Sequence, residues 1–410
     1  MKKCIVTLFL FFPFANLLAQ KSDSIWIRKG NIAYDSALYA ESVVHYEKAI
    51  EVNADDPVAH HHLAKAFYKL EKYSDAIEQY SKAIELNPKN PDYYVDRSNA
   101  ECGMKYYLVA LVDCEKAIAL DSNDADAYIA KGDVEHYTRY YSSAFKDYQK
   151  AISLKPEYPL VYNNIGKLLI DMQQYDDAID DFTVAIQLNP QYEDAYRNRG
   201  TAKLYKIGFI SDGLGNLSYQ DIYQRRYEIK QMRRFGLAYD GIGDFSMAIK
   251  LNPTDYEAYH DRGCAYNALG YFHRALHDTQ KAVELNPNPY SYNNRGVAYY
   301  NLQKYQKAIG DYTIAIQMGT DNLQPYYNRG TARNKFKQWS NAIADFNAAI
   351  AIDSSYACLY EARGYAEEMT GNAPAAVRDF RQAMKMDPVN MDYYVDEFDR
   401  VQRLAKKEKK

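Results

Sequence analysis

The chain of 410 residues has little of what disulfide-rich, metal-binding or nucleic-acid-binding proteins depend on. It has five cysteines, and no pair shows the C-x-x-C spacing of a zinc or redox motif. This disfavours a structural zinc site and a disulfide framework, and favours buried or semi-buried thiols. The formal net charge is −4, so the chain lacks the basic excess typical of nucleic-acid binders. We therefore expect no nucleic-acid partner.

Catalytic patterns are also missing. The glycine-rich segment "GFISDGLGN" (208–216) has neither the ordered glycines nor the lysine that phosphate-binding loops use. His60, His61 and His62 are consecutive, so on a helix their side chains diverge by about 100° per residue instead of converging on a metal. No Ser-His-Asp or Cys-His arrangement stands out. We predict no enzyme activity, no cofactor and no bound metal.

Long apolar runs are absent except at the N-terminus. Lys2 and Lys3 precede an apolar run from Cys4 to Leu18, which is followed by the small residue Ala19. A charged start, an apolar run and a small residue are typical of a cleaved secretion signal. The run of about 15 residues is shorter than the roughly 20 that a membrane span needs. We predict a signal peptide at 1–19, a mature chain from Gln20, export to the periplasm or the extracellular space, and no membrane insertion after cleavage.

What the chain does have is an alanine that recurs at a nearly fixed spacing. Seven of the nine intervals are 34 residues, one is 33 and one is 63. The alanines are Ala49, Ala83, Ala117, Ala151, Ala185, Ala248, Ala282, Ala315, Ala349 and Ala383. An identical small residue at a fixed period indicates a stack of identical packing units.

Other positions repeat in the same register. If the alanine is position 27 of each unit, positions 8 and 20 are small, position 24 is usually aromatic, and position 32 is often proline. Apolar residues recur at helical spacing on both sides of a break near positions 14 to 16. Small residues allow two helices to approach closely, and the proline ends the second helix. Each unit is therefore predicted to be a helical hairpin that buries its apolar face by stacking on its neighbours.

This pattern resembles the tetratricopeptide repeat family. The match is carried by residues such as Tyr196, Arg199 and Gly200, and by Ala178, Phe182 and Pro190 one unit earlier. The resemblance implies an all-α, right-handed α-solenoid of about ten helix-turn-helix repeats over residues 20–390, in which the first helices line a concave groove. The repeats begin at residues 23, 57, 91, 125, 159, 193, 256, 289, 323 and 357, and 391–410 is expected to form a capping helix and a charged tail.

The long interval of 63 residues places an insertion at about 207–236, inside the sixth repeat. We expect one helix within about 217–235, docked by its apolar residues against the solenoid. It either alters the binding face or is a passive edge element.

Each unit also repeats a pair of opposite charges. Position 7 is usually Arg or Lys, and position 23 is usually Asp. A catalytic role for a pair that every unit repeats is implausible, so we predict structural ion pairs between the two helices of a unit. As exposed pairs they would contribute about 0–1 kcal/mol each.

The resemblance assigns positions 2, 5, 6, 9, 12 and 13 to the groove. These positions carry fourteen acids and seven bases, so the groove is more acidic than the chain as a whole. Position 6 has a broken row of amides, which can pair with a peptide backbone of any sequence. The candidate peptide-binding residues are Asn164, Asn198, Asn294, Asn328, Asp96 and Asp261. The alternative is that duplication of one ancestral unit spread the asparagine.

The main prediction is an exported protein-protein interaction scaffold that binds an extended polypeptide in the concave groove. One alternative is a structural subunit of a cell-envelope assembly that uses its edge or convex surfaces. A second is a carbohydrate-binding or carbohydrate-processing accessory, although most of the 42 tyrosines recur at packing positions of the repeat.

Overall fold

The computed structural model describes residues 24–208, 230–319, 321–387, 395 and 397–403, and these residues contain helices and no strand. The chain divides into two compact units, residues 1–173 and 174–410. The signal peptide at 1–19 and most of the insertion at 207–236 lie outside the described residues. No described helix is long and apolar enough to cross a membrane.

The N-terminal unit is a succession of helical hairpins. Its helices are α1 (24–35), α2 (Tyr39–Val52), α3 (Pro57–Lys69), α4 (Tyr73–Leu86), α5 (Pro91–Gly103), α6 (Tyr107–Leu120), α7 (Ala125–Tyr137), α8 (Tyr141–Leu154) and α9 (Pro159–Asp171).

The C-terminal unit continues the same alternation. Its helices are α10 (Tyr175–Leu188), α11 (Glu193–Lys206), α12 (Lys230–Leu251), α13 (Tyr256–Leu269), α14 (Phe272–Leu285), α15 (Pro289–Asn301), α16 (Tyr305–Gln317), α17 (Gln324–Lys335), α18 (Trp339–Ile352), α19 (Ala357–Met369), α20 (Ala373–Met386) and α21 (397–403). The described end of the expected insertion helix, 230–235, belongs to α12. Packing of Val401 and Phe398 against Phe380 lets α21 cover the last hairpin, as a capping helix should.

In every repeat but the sixth, the turn inside the hairpin has one residue in the left-handed region, at position 15 of the repeat. The residues are Ala37, Glu71, Lys105, Arg139, Gln173, Gly270, Gln303, Lys337 and Gly371, with φ between 57° and 83°. This confirms the break expected near positions 14 to 16. Glycine adopts such a φ at no steric cost, whereas the other residues are strained and are held there by the two packed helices.

The repeated small residues lie where the helices of a hairpin approach most closely. A Cβ added to Gly132 would lie 2.6 Å from the ring of Tyr148, and one added to Gly330 would lie 2.7 Å from the ring of Phe346. The ring at position 24 therefore fills the space that the glycine at position 8 leaves. The period-defining alanines from Ala49 to Ala383 are almost completely buried. Close packing explains why these positions repeat.

The two helices of a repeat do not have equivalent neighbours. Within each unit a first helix contacts the first helix of the next repeat directly, as α5 does with α7 and α13 with α15. In the described part of the chain, consecutive second helices show no comparable packing. The first helices therefore form the more closely spaced layer, and the second helices lie on the opposite, more open side.

Candidate functional site

The charged pair at positions 7 and 23 joins the two helices in seven of the ten hairpins, as the sequence predicts. Arg97 on α5 donates from Nε and Nη2 to the Asp113 carboxylate on α6, at 2.6 and 2.8 Å. Its Nη1 donates to the Ser81 hydroxyl on α4, in the preceding repeat, at 2.9 Å. One guanidinium thus links three helices. The same two-pronged contact recurs at Arg199–Asp244, Arg262–Asp278, Arg295–Asp311, Arg329–Asp345 and Arg363–Asp379, and Lys131–Asp147 makes a single bond.

These pairs are not exposed, and the expectation that they are was wrong. The side chain of Asp345 is 3% exposed and that of Arg329 is 13% exposed. The guanidinium at position 7 also lies over the tyrosine at position 4, as Arg295 does over Tyr292 at 5.2 Å. Tyrosine stacking and helix packing remove the pair from water, so loss of one partner leaves an uncompensated buried charge. The pairs hold the repeats together, and in each of them the carboxylate is bound by its cation.

In the N-terminal unit the predicted groove residues Asp96 and Asn164 have partners inside the protein. His61 on α3 contacts the Asp96 carboxylate on α5 through Nε2 at 2.7 Å. Asn164 on α9 donates to Asp133 on α7 at 2.9 Å, and the Tyr148 hydroxyl donates to the same oxygen at 2.6 Å. The groove side chains therefore form contacts that cross from one repeat to the next.

In the C-terminal unit the structure brings several predicted residues into one network. Asn328 on α17 donates to Asn293 on α15 at 3.0 Å. Asn294, the neighbour of Asn293, donates to the Cys264 sulfur on α13 at 3.0 Å and contacts Nε2 of His260. Side-chain hydrogen bonds thus link α17 to α15 and α15 to α13, and these residues form a row across the first helices.

Asp261 joins the same row at its other end. It accepts from the Thr201 hydroxyl on α11 at 2.8 Å and contacts Nδ1 of His260 at 3.0 Å. Asn198 is half-buried on α11, at the position that Asp261 has on α13, and it too has a partner. His61 and His260 were not among the predicted binding residues. Both lie at position 5 and contact the position 6 residue of the next repeat. The signal was available, because both histidines precede their Asp or Asn partner by 34 or 35 residues.

The three consecutive histidines diverge as expected. His60 is buried and its Nδ1 lies 2.8 Å from the side-chain Oε1 of Gln79, whereas His61 contacts Asp96. Burial lowers the pKa of His62 to about 4, so it is neutral at pH 7. Among the described residues no three His, Cys, Asp or Glu side chains are placed to hold a metal ion together. The four described cysteines are free thiols, and burial raises the pKa of Cys114 to about 12.

Comparison with known proteins agrees with this geometry. A family model described as "TPR repeat" matches residues 30–71, 64–100 and 166–206, and models described as "Tetratricopeptide repeat" match 125–158 and 260–325. The chain belongs to the tetratricopeptide repeat family. The fold suggests a protein-protein interaction scaffold, and repeat scaffolds of this kind are typically non-enzymatic. A search of curated protein sequences finds no match.

Two human IFIT1 structures share the fold at low sequence identity. The human IFIT1 dimer with m7Gppp-AAAA has a TM-score of 0.55 and 15% identity, covering 88% of this chain and 81% of the other. The human IFIT1 dimer with PPP-AAAA has a TM-score of 0.54 and 14% identity, covering 88% and 82%. A tetratricopeptide repeat protein from Parabacteroides merdae has a TM-score of 0.47 and 14% identity, covering 67% and 98%. The IFIT1 structures support the solenoid fold only, and their RNA ligands do not transfer to this chain.

Proposed function

We propose that this protein is an exported scaffold that holds an extended polypeptide along its first helices. The observation that carries the proposal is the row of amides and carboxylates that crosses from one first helix to the next. Asn328 uses its amide nitrogen on Asn293, which leaves its carbonyl oxygen to accept from a peptide N–H. Such a row suits a ligand that offers a donor and an acceptor at every residue.

The charge of the groove favours a neutral or basic peptide. Asp35 and Asp92 are exposed at positions 13 and 2, and no described cation lies within ion-pair distance of either carboxylate. The fourteen acids and seven bases at the groove positions add to a net negative stripe. Like charges across an interface suppress binding, so acidic peptides and nucleic acids are disfavoured.

The binding test compares labelled peptides of alternating lysine and serine with peptides of alternating glutamate and serine, by fluorescence anisotropy at low and physiological salt. We expect tighter binding of the basic peptide, with an affinity that falls as salt rises. Asp96→Lys should weaken it by about tenfold, and Asp96→Asn should weaken it less because the contact with His61 can persist. Glu115→Lys, an equal charge change on the exposed face of α6, is the control.

Replacement of Asn164, Asn198, Asn294 and Asn328 by alanine separates the amide row from acidity. If affinity stays within about a factor of two while Asp96→Lys changes it strongly, acidity alone governs binding. If basic and acidic peptides bind equally, or neither binds, the proposed groove function is wrong.

The proposal of export rests on the N-terminal sequence. Sequencing of the protein recovered from the periplasm or medium should find a start at or close to Gln20. Recovery of exported protein with Met1 intact would contradict it.

A permanent subunit of an envelope assembly is the second candidate, and an exposed apolar face favours it. Leu108, Val109 and Val112 on the open side of α6 are 82%, 52% and 62% exposed. A contiguous apolar face of this kind often marks a contact surface. Crosslinking in envelope extracts should capture a stable neighbour in wild type and lose it in Leu108→Ser/Val112→Ser, whereas peptide binding should be unchanged.

A further inference from the structure

The outer face of α1, the first described helix, exposes two isoleucines at positions that every later repeat buries. Positions 3 and 10 of the first repeat are Ile25 and Ile32, which are 54% and 60% exposed. In the nine later repeats both positions are buried: position 3 is Ala59, Tyr93, Ala127, Val161, Ala195, Ala258, Ser291, Pro325 and Leu359, and position 10 is Ala66, Ala100, Val134, Leu168, Ala202, Ala265, Ala298, Ala332 and Ala366. No described helix precedes α1, so this face has no cover.

In the later repeats, the second helix of the preceding repeat covers this face. Ala332 at position 10 packs in one cluster with Ile309 and Tyr312 of α16, which are at positions 21 and 24. Leu359 at position 3 packs with Ile350 of α18, at position 28. The covering helix therefore contributes apolar residues at positions 21 and 28, seven residues apart.

Between these apolar contacts, the cation at position 7 bonds to the same covering helix. Arg262 donates to the Ser246 hydroxyl at 3.0 Å, and Arg329 donates to the Thr313 hydroxyl at 3.1 Å. The acceptor is always at position 25: it is Ser81, Thr183, Ser246, Gln280, Thr313 or Asn347. The covering helix thus has an apolar residue, an acceptor and a second apolar residue at i, i+4 and i+7, which lie on one face of a helix.

The uncovered face of α1 has the matching residues, with a cation that lacks its usual acid. Lys29 at position 7 is exposed between Ile25 and Ile32, and position 23 of this repeat is His45 instead of aspartate. The ammonium of Lys29 lies 4.4 Å from the centroid of the Trp26 ring, and no described carboxylate is within ion-pair distance of it. Arg28 beside it is also exposed. This end of the chain is therefore apolar and basic.

We propose that Ile25, Lys29 and Ile32 bind an amphipathic helix of another protein. That helix takes the place that a preceding second helix has at each later junction, so the contact continues an interface that the chain already repeats. It has apolar residues at i and i+7, and a carboxylate at i+4 that accepts from Lys29. Positions 3, 7 and 10 are not groove positions, so this surface is separate from the proposed peptide groove.

A second copy of the chain fits this face less well. Its last second helix, α20, does not offer a free face, because Phe398 and Val401 of α21 pack against it and Arg381 at position 25 lies over the Phe398 ring. Two α1 helices related by a two-fold axis would bring Lys29 against Lys29 or Arg28 of the other copy. Like charges across an interface suppress association. The charge of the face therefore favours an acidic helix from a different protein.

The probe is a labelled peptide of residues 140–155, which contains α8. By register α8 covers Val161 and Leu168, and in repeats two to ten this is the one pair with branched aliphatic residues at both position 3 and position 10. Gln149 at position 25 is changed to Glu to supply the carboxylate. Short helices are marginal in water, so a covalent link between the side chains at positions 142 and 146, exposed in α8, keeps the peptide helical.

Fluorescence anisotropy with the purified chain measures binding of this Gln149→Glu peptide. Wild type should bind it saturably, and Ile25→Asp/Ile32→Asp should weaken binding at least about tenfold. Both isoleucines are exposed, so the variant should melt like wild type. The matched control is Ile314→Asp/Ile352→Asp, the same change at two exposed isoleucines of the C-terminal unit, and it should bind like wild type.

A charge exchange tests the contact at position 7. Lys29→Glu should bind the Gln149→Glu peptide about tenfold more weakly, and a Gln149→Lys peptide should restore the affinity for this variant. Hydrogen exchange should slow in α1 when the peptide binds. Four results would each overturn the proposal: no binding by wild type, equal binding by Ile25→Asp/Ile32→Asp, no recovery in the exchanged pair, or protection confined to other helices. Dimerisation of wild type that Ile25→Asp/Ile32→Asp abolishes would assign the face to a second copy and overturn it too.

Discussion

The buried aspartate at position 23 is neutralised in opposite ways in two repeats, one from each unit. In the third repeat, Arg97 serves two acids: it binds Asp113, and its Nε lies 3.9 Å from Glu101 at position 11. In the ninth repeat, Asp345 is bound by two cations, Arg329 and Arg333, each at 2.7 Å.

Neighbouring repeats show the same difference. Lys131 lies 2.6 Å from Asp147 and 3.4 Å from Glu135 in the fourth repeat, whereas Asp244 binds both Arg199 and Lys203 in the sixth. Positions 7 and 23 keep their charges, but position 11 takes either sign on the same backbone. The third and fourth repeats have an excess buried acid, and the sixth and ninth have an excess cation, whereas position 11 is Tyr266, Tyr299 or Glu367 in the other C-terminal repeats that carry the pair. The net charge of a buried cluster therefore depends on position 11, where the repeat pattern does not fix the residue type.

Removal of the position 7 cation should have the largest effect on the free energy of unfolding, and this effect should differ between the two kinds of cluster. Arg97→Met leaves Asp113 and Glu101 buried without a cation, so we expect a loss of about 3–5 kcal/mol in the free energy of unfolding. Arg329→Met should cost clearly less, because Arg333 still binds Asp345. Urea denaturation at pH 8, with hydrogen exchange to locate the loss, measures both. Equal losses would show that position 11 does not matter.

Conversion of the N-terminal cluster to the C-terminal kind should have the next largest effect. In Glu101→Lys the new amine can reach Asp113, as Lys203 reaches Asp244 at 2.8 Å from the same position. It also removes a buried carboxylate oxygen, Oε2 of Glu101, that has no hydrogen-bond partner. An unsatisfied buried group costs about 1–3 kcal/mol, so we expect a gain of about 2 kcal/mol at pH 8. Loss of stability in the same urea experiment would contradict this.

The repeat pattern made the fold and the 7–23 pairs predictable from the sequence. Small residues at positions 8, 20 and 27 and the aromatic ring at position 24 recur because each hairpin must pack on its neighbours in the same way. The pairing of Arg97 with Asp113 follows from the same register. The burial of the pair was not predictable, because it depends on the Tyr94 ring and on Ser81 from the preceding repeat.

The groove was less predictable, because only some of its contacts follow the period. The amides at position 6 could be found by register, but Asn164 bonds to Asp133 whereas Asn328 bonds to Asn293. Such partners depend on which side chain the neighbouring repeat happens to offer. The excess acid at Glu101 was missed for the same reason, since position 11 shows no conserved residue type from repeat to repeat.

Glu101→Gln tests the role of the excess buried acid through the pH dependence of protein stability. Burial, with the charge of Asp113 adding to it, raises the pKa of the Glu101 carboxyl to about 7 from its ordinary value near 4.5. The folded state therefore binds more protons between these values, and wild type loses stability as pH rises through that window. Glutamine removes the titration, so the variant should be about 1 kcal/mol more stable than wild type at pH 8, with the gain vanishing near pH 4.5. Glu115→Gln, the same substitution at an exposed site on α6, is the matched control.

The smallest effect is expected for the second cation of a C-terminal cluster. In Lys203→Gln, Asp244 keeps the two hydrogen bonds from Arg199, at 2.6 and 3.1 Å, so no buried charge is left alone. The amide can still donate to the carboxylate, and the loss should be about 0.5–1 kcal/mol, the range of an ordinary hydrogen bond. Thermal and urea unfolding of this variant and of Arg97→Met, at the same pH, give the contrast. A loss as large as that of Arg97→Met would mean that Arg199 alone does not neutralise Asp244, and that both units depend on every cation they bury.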